Sequence, residues 1–255
     1  RNDGGTYVGP LSGSPAMGDA VAWGDFDNDG DLDLAAAGVI GGTRQVRIYR
    51  NDAGTFVNIP QTLTGVDGAQ LQWGDVDNDG DLDLVVSGST DVAAAGRRAV
   101  IIRNDGGTFV EVQNLSPVQG AVAWGDVDND GDADLFLSGQ SSAGVAISLL
   151  YRSDAGTLNQ IQSIPDIAAD GAVWADYDQD GRLDLALSGN RTLGTPKQVT
   201  KVYRNNNGVL VEAQNLLGAS GGGLAWADVD HDGDVGVPVL GVHDEQLAPR
   251  RPLPP

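Results

Sequence analysis

The sequence predicts an all-β fold, a β-propeller of about five four-stranded blades, from two recurring phrases and the absence of any helical period. One phrase recurs five times, as WGDFDNDGDLDL, WGDVDNDGDLDL, WGDVDNDGDADL, WADYDQDGRLDL and WADVDHDGDVGV. Its tryptophans, Trp23, Trp73, Trp124, Trp174 and Trp226, are spaced by 50, 51, 50 and 52 residues. A second phrase keeps the same period: RNDGGTY from Arg1, YRNDAGTF from Tyr49, IRNDGGTF from Ile102, YRSDAGTL from Tyr151 and YRNNNGVL from Tyr203. No segment carries a 3.6-residue apolar period of helix length, whereas short alternating runs rich in β-branched residues are frequent. A unit of about 51 residues holding four short strands suits a propeller blade, since leucine-rich units are shorter and most other solenoid units are helical.

The first unit illustrates the four strands. Strand a is expected over 20–23, followed by the Asp-rich loop. Strand b is expected over 32–37, with Leu32 and Leu34 alternating with Asp33. Strand c, over 45–50, alternates in the same way. An Asn-Asp-x-Gly turn then reverses the chain into strand d over 55–59, because Gly and Asn supply the positive φ that tight hairpins need. A lone unit of this kind would leave both apolar faces in water, so the units must stack.

Strand bookkeeping suggests how a ring would close. Strands a and d occur five times and strand c four times, and the chain opens at a c–d turn. A ring of five is expected to pair the N-terminal d strand, near residues 6–8, with strands a and b of the last unit. The competing expectation is a piece of a longer, perhaps seven-bladed, propeller. Residues 1–241 form the expected propeller, and the proline-rich 242–255 an expected disordered tail.

Composition narrows the function classes. The chain has 255 residues, 40% hydrophobic and 5% aromatic, enough for a sizeable core. No apolar run approaches the roughly 20 residues of a membrane-spanning helix, and no membrane insertion is expected. The opening Arg-Asn-Asp-Gly-Gly lacks an initiator Met and a leader's layout, so a processed or excised piece is expected. A net charge of −21 and a pI near 4.1 argue against nucleic acid and anionic lipid as partners. Cations are the natural counterpart of such a surface. With no cysteine, disulfides and thiolate metal sites are excluded.

The Asp-rich loop carries the chemistry. Its DxDxDGxxD spacing sets carboxylates at loop positions 1, 3, 5 and 9: Asp25, Asp27, Asp29 and Asp33 in the first unit, with Gly30 allowing the sharp turn. The matching sets are Asp75, Asp77, Asp79 and Asp83; Asp126, Asp128, Asp130 and Asp134; and Asp176, Asp178, Asp180 and Asp184. Position 7 adds a backbone carbonyl, from Asp31, Asp81, Asp132 and Arg182. Hard oxygens around one point suit Ca²⁺, which takes six to eight of them, better than Mg²⁺, which prefers a small octahedron and keeps its waters. Without a cation the clustered carboxylates repel one another. The fifth loop keeps Asp228, Asp230 and Asp232 but has Gly236 at position 9, so its site is expected to be weak or empty. A single such loop is often a solvated Asp-Gly turn, but four complete copies at constant period are a pattern of another order. An EF-hand would need flanking helices and an acid at loop position 12, where Ala36, Val86, Leu137 and Leu187 stand.

The phrases AVAWGDVDNDGDxDL and RNDGGTF resemble the FG-GAP/VCBS repeat family, whose relatives include the propeller headpiece of integrin α-subunits. The likeness spans roughly residues 1–241. It implies a β-propeller with calcium in the a–b loop of each blade, and a secreted or cell-surface protein that binds proteins or carbohydrates. The defective fifth loop and the missing last strand c depart from the pattern.

If calcium loops and Asn-Asp-x-Gly turns share one face, the b–c and d–a connections share the other. Segments 89–98, with Arg97 and Arg98, 190–197 and 41–44 are where a ligand is expected, although exposed arginines commonly serve only solubility. The repeated tryptophans read more simply as wedges between sheets than as sugar-stacking platforms, and Tyr49, Tyr151 and Tyr203 as packing residues. An enzyme is not expected. There is no GxSxG, P-loop or Cys nucleophile, and the two histidines, His231 and His243, lie in the degenerate last unit. The readings weighed beside a binding module are a propeller attached to a polysaccharide-active enzyme and a purely structural array, either monomeric or completing its ring by oligomerisation.

Overall fold

Aspartate loops and Asn-Asp-x-Gly turns cut the chain into short extended runs, and these become strands in the order the repeats dictate. The computed structural model describes residues 2–3, 6–7, 18–91, 94–192, 198–216, 218, 223–228, 235 and 239–240. Strand β1 (Asn2–Asp3) pairs antiparallel with β2 (Thr6–Tyr7). The first full sheet follows, in the order β3 (Ala20–Gly24), β4 (Asp33–Ile40), β5 (Thr43–Asp52), β6 (Thr55–Ile59). The second is β7 (Asp67–Gly74), β8 (Asp83–Ser89), β9 (Arg97–Asp105), β10 (Thr108–Asn114).

In the third sheet strand a is broken into β11 (Val118–Gln119) and β12 (Val122–Gly125), both on β13 (Asp134–Ser141), with β14 (Ala146–Asp154) and β15 (Thr157–Pro165) beyond. The fourth is β16 (Ala168–Ala175), β17 (Asp184–Asn190), β18 (Gln198–Asn205), β19 (Leu210–Leu216). A two-stranded ladder joins β20 (Gly223–Leu224) to β21 (Val239–Leu240). Every pairing is antiparallel, and the helical content of the described residues is one 3₁₀ turn at Ala94–Gly96. Among the described residues no helix is long and apolar enough to cross a membrane. The expected closing strand near 6–8 is described only at Thr6 and Tyr7, and the proline-rich segment 242–255 lies outside the described residues.

Each full sheet contributes two faces to the core, and strand b is the reason. Its side chains alternate between two apolar clusters: Leu84 and Val86 of β8 pack with Ala35, Ala37 and Ile48 of the preceding sheet, while Val85 packs with Leu135 and Leu137 of the next. Phe136 of β13 faces Leu185 and Leu187 of β17 in the same manner. The apolar core therefore lies between successive sheets, where each buried aliphatic or aromatic side chain contributes about 1.5–3 kcal/mol. This corrects the simple alternation expected for strand b. Leu32 is 57% exposed and lies outside the strand, whereas Asp33 is fully buried at its first position.

Trp73, Trp124, Trp174 and Trp226 are wedges between sheets, as the sequence suggested, whereas Trp23 departs from that expectation. Trp73, 8% exposed, sits among Phe26 of the first loop and Phe109 of β10, with ring centroids 6.0 and 5.9 Å away. Its indole Nε1 donates to the Ala22 carbonyl of the preceding sheet at 3.2 Å. Trp124 donates to Gln72, Trp174 to Ala123 and Trp226 to Val173, in each case the carbonyl just before the previous tryptophan. The wedge comes so close that a Cβ on Gly24 would lie 2.6 Å from the Trp73 ring. Trp23, at the start of the series, is 53% exposed and touches Phe56 of its own sheet.

Candidate metal centres

The loop between strands a and b folds by the same local rules in all four full units. Position 1 organises it: Asp25 accepts the N–H groups of Asp29 and Gly30 at 3.1 and 3.0 Å, Asp126 those of Asp130 and Gly131, and Asp176 those of Asp180 and Gly181. Asp75 accepts Gly80 N–H at 3.0 Å. Position 5 closes an Asx turn on position 7, with Asp29 accepting Asp31 N–H at 2.8 Å and the same bond in the other loops. Two left-handed residues bend the chain around its centre. Position 6 is Gly, as expected, but position 4 is also left-handed, at Asn28, Asn78, Asn129 and Gln179, all with φ near 58°.

Position 9 ties the loop to the rest of its sheet. Asp33, Asp83, Asp134 and Asp184 are all fully buried, and each carboxylate accepts two backbone N–H groups. One comes from loop position 2, as from Val76 to Asp83 at 2.8 Å, and the other from the c–d turn, as from Asn104 to Asp83 at 2.8 Å. Asp33 takes Phe26 and Asn51, Asp134 takes Val127 and Ser153, and Asp184 takes Tyr177 and Asn205.

Four triads of carboxylates result, each able to offer three oxygens within 4.8 Å of one another: Asp25, Asp27 and Asp29; Asp75, Asp77 and Asp83; Asp126, Asp128 and Asp134; Asp176, Asp178 and Asp184. Positions 1 and 3 converge in every loop. Position 9 completes three triads and position 5 the first. The side chains at position 7 turn elsewhere: Asp31 and Asp81 accept N–H groups of Ala53 and Gly106 in the c–d turns, Asp132 accepts the Asn78 amide, and Arg182 pairs with Asp180. In the fifth loop Asp228 is described, while Asp230, Asp232 and Gly236 lie outside the described residues.

The donor set fits a hard divalent cation. Asp75 Oδ1, Asp77 Oδ1 and Asp128 Oδ1 are shielded from solvent yet accept no hydrogen bond, which is costly for an ionised carboxylate and is relieved by a cation. Burial, reinforced by the carboxylates at positions 5 and 1, raises Asp27, Asp77 and Asp128 above the usual carboxylate range. Burial also pushes Asp83 and Asp134 up to about 6, against the pull of their two N–H donors, and raises Asp33 and Asp184.

Sequence reasoning missed two groups around these loops. The third-strand arginine of the second, third and fourth units hangs over position 3: Arg103 Nε is 4.0 Å from Asp77, Arg152 Nη1 3.8 Å from Asp128, and Arg204 Nε 2.7 Å from Asp178. The buried c–d turn residues Asn104, Ser153 and Asn205 reach across to the loop of the preceding sheet. The Arg-Asn pair recurring in the second phrase was the available signal for both. Of the cations expected to mark a ligand face, Arg97 and Arg98 belong to β9 rather than to a connection. Arg98 pairs with Glu111 at 2.9 Å, Arg97 donates to Gln140 of the next sheet at 2.8 Å, and Arg44 pairs with Asp67.

A comparison with curated proteins finds no match. The FG-GAP-like repeat family matches at residues 25–86, 126–187 and 176–235, stretches that contain every triad and cover more than half of the chain. On loop geometry, strand order and this match together, the chain belongs to the family of FG-GAP-like repeat proteins.

Proposed function

We propose that the chain is a calcium-binding β-propeller that acts as a non-catalytic binding or scaffold module, with a protein or carbohydrate ligand, outside the cell or on its surface. The carrying observation is a carboxylate triad at the same loop of four successive sheets, with solvent-shielded oxygens left without donors in the second and third. Calcium, when bound, would partly neutralise these carboxylates and fill their free oxygens. Asp25, Asp75, Asp126 and Asp176 shape each loop around the centre, position 3 faces it, position 5 joins it in the first loop, and position 9 joins it in the other three while anchoring every loop to the c–d turn. The fifth loop is the weak site of the series. All-oxygen loops of this kind work well at the millimolar calcium found outside cells.

A non-catalytic role is supported by the commitment of the clustered carboxylates to loop hydrogen bonds and of Arg44, Arg97 and Arg98 to structural partners. Closure of about five blades, with the β1–β2 hairpin joining the last unit, is supported by register. Asn2 faces Tyr7 and Asp3 faces Thr6, just as Asn51 faces Phe56 and Asp52 faces Thr55 across the first c–d turn. Deleting residues 1–10 is then expected to lower the melting temperature sharply, and an unchanged one would remove closure.

The test of function is thermal unfolding by circular dichroism, with calcium and with excess EDTA. A large calcium-dependent rise in melting temperature is expected from the linkage of binding to folding. Equal curves would reduce the loops to solvated turns and overturn the proposal. Glycan and protein binding screens on the loaded protein then address the ligand, and turnover of an acidic polysaccharide would overturn the non-catalytic reading.

A further inference from the structure

We propose that the four loops bind calcium as one positively coupled series rather than as independent sites, a proposal that rests on the calcium reading above. A continuous chain of hydrogen bonds runs from sheet to sheet through the buried interior. Asp33 Oδ2 accepts Phe26 N–H at 2.9 Å, and the Phe26 carbonyl accepts the Asn104 side-chain amide at 2.9 Å. Asn104 N–H in turn donates to Asp83 Oδ1 at 2.8 Å, and Asp83 Oδ2 accepts Val76 N–H at 2.8 Å. The Val76 carbonyl accepts the Ser153 hydroxyl at 3.2 Å, and Ser153 N–H donates to Asp134 Oδ1 at 2.8 Å. Asp134 Oδ2 accepts Val127 N–H at 2.7 Å, the Val127 carbonyl accepts the Asn205 amide at 2.6 Å, and Asn205 N–H donates to Asp184 Oδ1 at 2.7 Å. Asn104 and Asn205 are fully buried and Ser153 is 1% exposed, so no solvent competes for these bonds.

The chain passes through the metal triads at each crossing. Position 2, whose carbonyl receives the bond from the next sheet, lies between ligand positions 1 and 3. Position 9, which receives the turn's N–H, is itself a triad member in the second, third and fourth loops. Fixing the Asp83 carboxylate therefore fixes Asn104, and through it the peptide between Asp25 and Asp27. A second link runs along the surface. Asn28 Nδ2 donates to the Gly80 carbonyl at 3.1 Å, Asn78 Nδ2 to Asp132 Oδ1 at 2.5 Å and Asn129 Nδ2 to the Gly181 carbonyl at 2.9 Å. The donor sits between positions 3 and 5 of one loop and the acceptor at position 6 or 7 of the next.

Ordering one loop by an ion thus removes part of the ordering cost of its neighbour, which is positive coupling. Repulsion between the bound ions acts against this coupling and is screened by salt, so the coupling is expected to show most clearly at high ionic strength.

The test cuts both links at one joint. Ser153→Ala removes the hydroxyl that bonds Val76, and Asn78→Gly removes the amide that bonds Asp132 while keeping a residue suited to the left-handed backbone. Calcium is titrated into the full chain by isothermal calorimetry, with bound calcium counted by equilibrium dialysis. The expected result is a Hill coefficient well above 1 for the native chain. The double variant should bind the same number of ions with a coefficient lowered by half, as two pairs replace a series of four. If the double variant fails to fold, Asn78→Gly alone, at an exposed position, should still lower the coefficient. Native binding with a coefficient of 1, or an unchanged coefficient in a folded variant, overturns the coupling and leaves the calcium sites standing. Absence of any binding overturns both.

Discussion

Arg204 and Asp178 form an ion pair, with Nε 2.7 Å from Oδ2, and the same guanidinium donates to Asp180 at 3.1 Å. Arg182 joins them on Asp180. In the second and third loops the corresponding arginine stands 4.0 and 3.8 Å from position 3, and position 7 is an aspartate. The fourth loop therefore carries its own cations within the proposed calcium site. Burial would raise the Asp180 carboxyl, but the hydrogen bonds from Arg204 and Arg182 N–H hold it below the usual range.

The fourth site is accordingly expected to be the weakest of the four complete loops. Arg182→Asp, which restores the residue found at position 7 elsewhere, should tighten it about twofold to fivefold, a range set by solvent-exposed pairs. Site-resolved titration by NMR, following the Gly181 amide, checks the change. An unaltered affinity would mean that the arginines step aside at no cost.

The tryptophan wedges should differ in worth by position. Trp73→Ala empties the space between Phe26 and Phe109 and deletes the bond to Ala22, and should cost about 3–5 kcal/mol in urea unfolding. Trp23→Ala should cost about 1 kcal/mol, because half of that ring already faces solvent. Equal losses would show that Trp23 is covered in solution.

Acid should act oppositely on the metal-free and loaded protein. Burial raises Asp83 and Asp134 to about 6, above the ordinary value of 3.8, so between these limits the folded chain holds more protons than the unfolded one. The contribution of these two groups to metal-free stability is then fully present below about pH 4 and is lost as pH rises through 6. Protons and calcium compete for the same oxygens, so the calcium-induced rise in melting temperature should shrink from pH 7.5 to pH 5. Melts at both pH values, with and without EDTA, decide it, and a calcium effect that grows on acidification would contradict the assignment of position 9.

The left-handed fourth loop position offers a mild stabilisation. Gln179 stands at φ 58° where the other loops have Asn, the side chain better suited to that region. Gln179→Asn should raise the melting temperature by about 1 °C, measurable by scanning calorimetry.

Much of this was legible in the sequence because it is local. Strand d of the first unit falls on Thr55–Ile59 as predicted, and strand a begins at Ala20, since turn chemistry punctuates both. Strand b was misread at its start. Alternation assigned Leu32 inward, but Asp33 takes the interior because Phe26 and Asn51 supply N–H donors. The position 1 and 3 carboxylates were readable from spacing alone. Asn104 and Ser153 were not, because their partners lie 78 and 77 residues away and only the stacking of sheets brings them together.

The shared clusters between sheets also carry an ordering rule. Where strand b of the first sheet offers Ala35 and Ala37, the joint is filled by Phe26, Trp73 and Phe109, and where the third offers Phe136, its surroundings include Ala121, Ala123 and Ala169. Bulk on one side meets slimness on the other, in a different pattern at each joint. Repeats that look interchangeable in their loops are thus keyed to particular neighbours. A shuffled array would set Phe136 against the aromatic filling of the first joint and overfill it, so the linear succession of units is written in steric volume as well as in covalent connection.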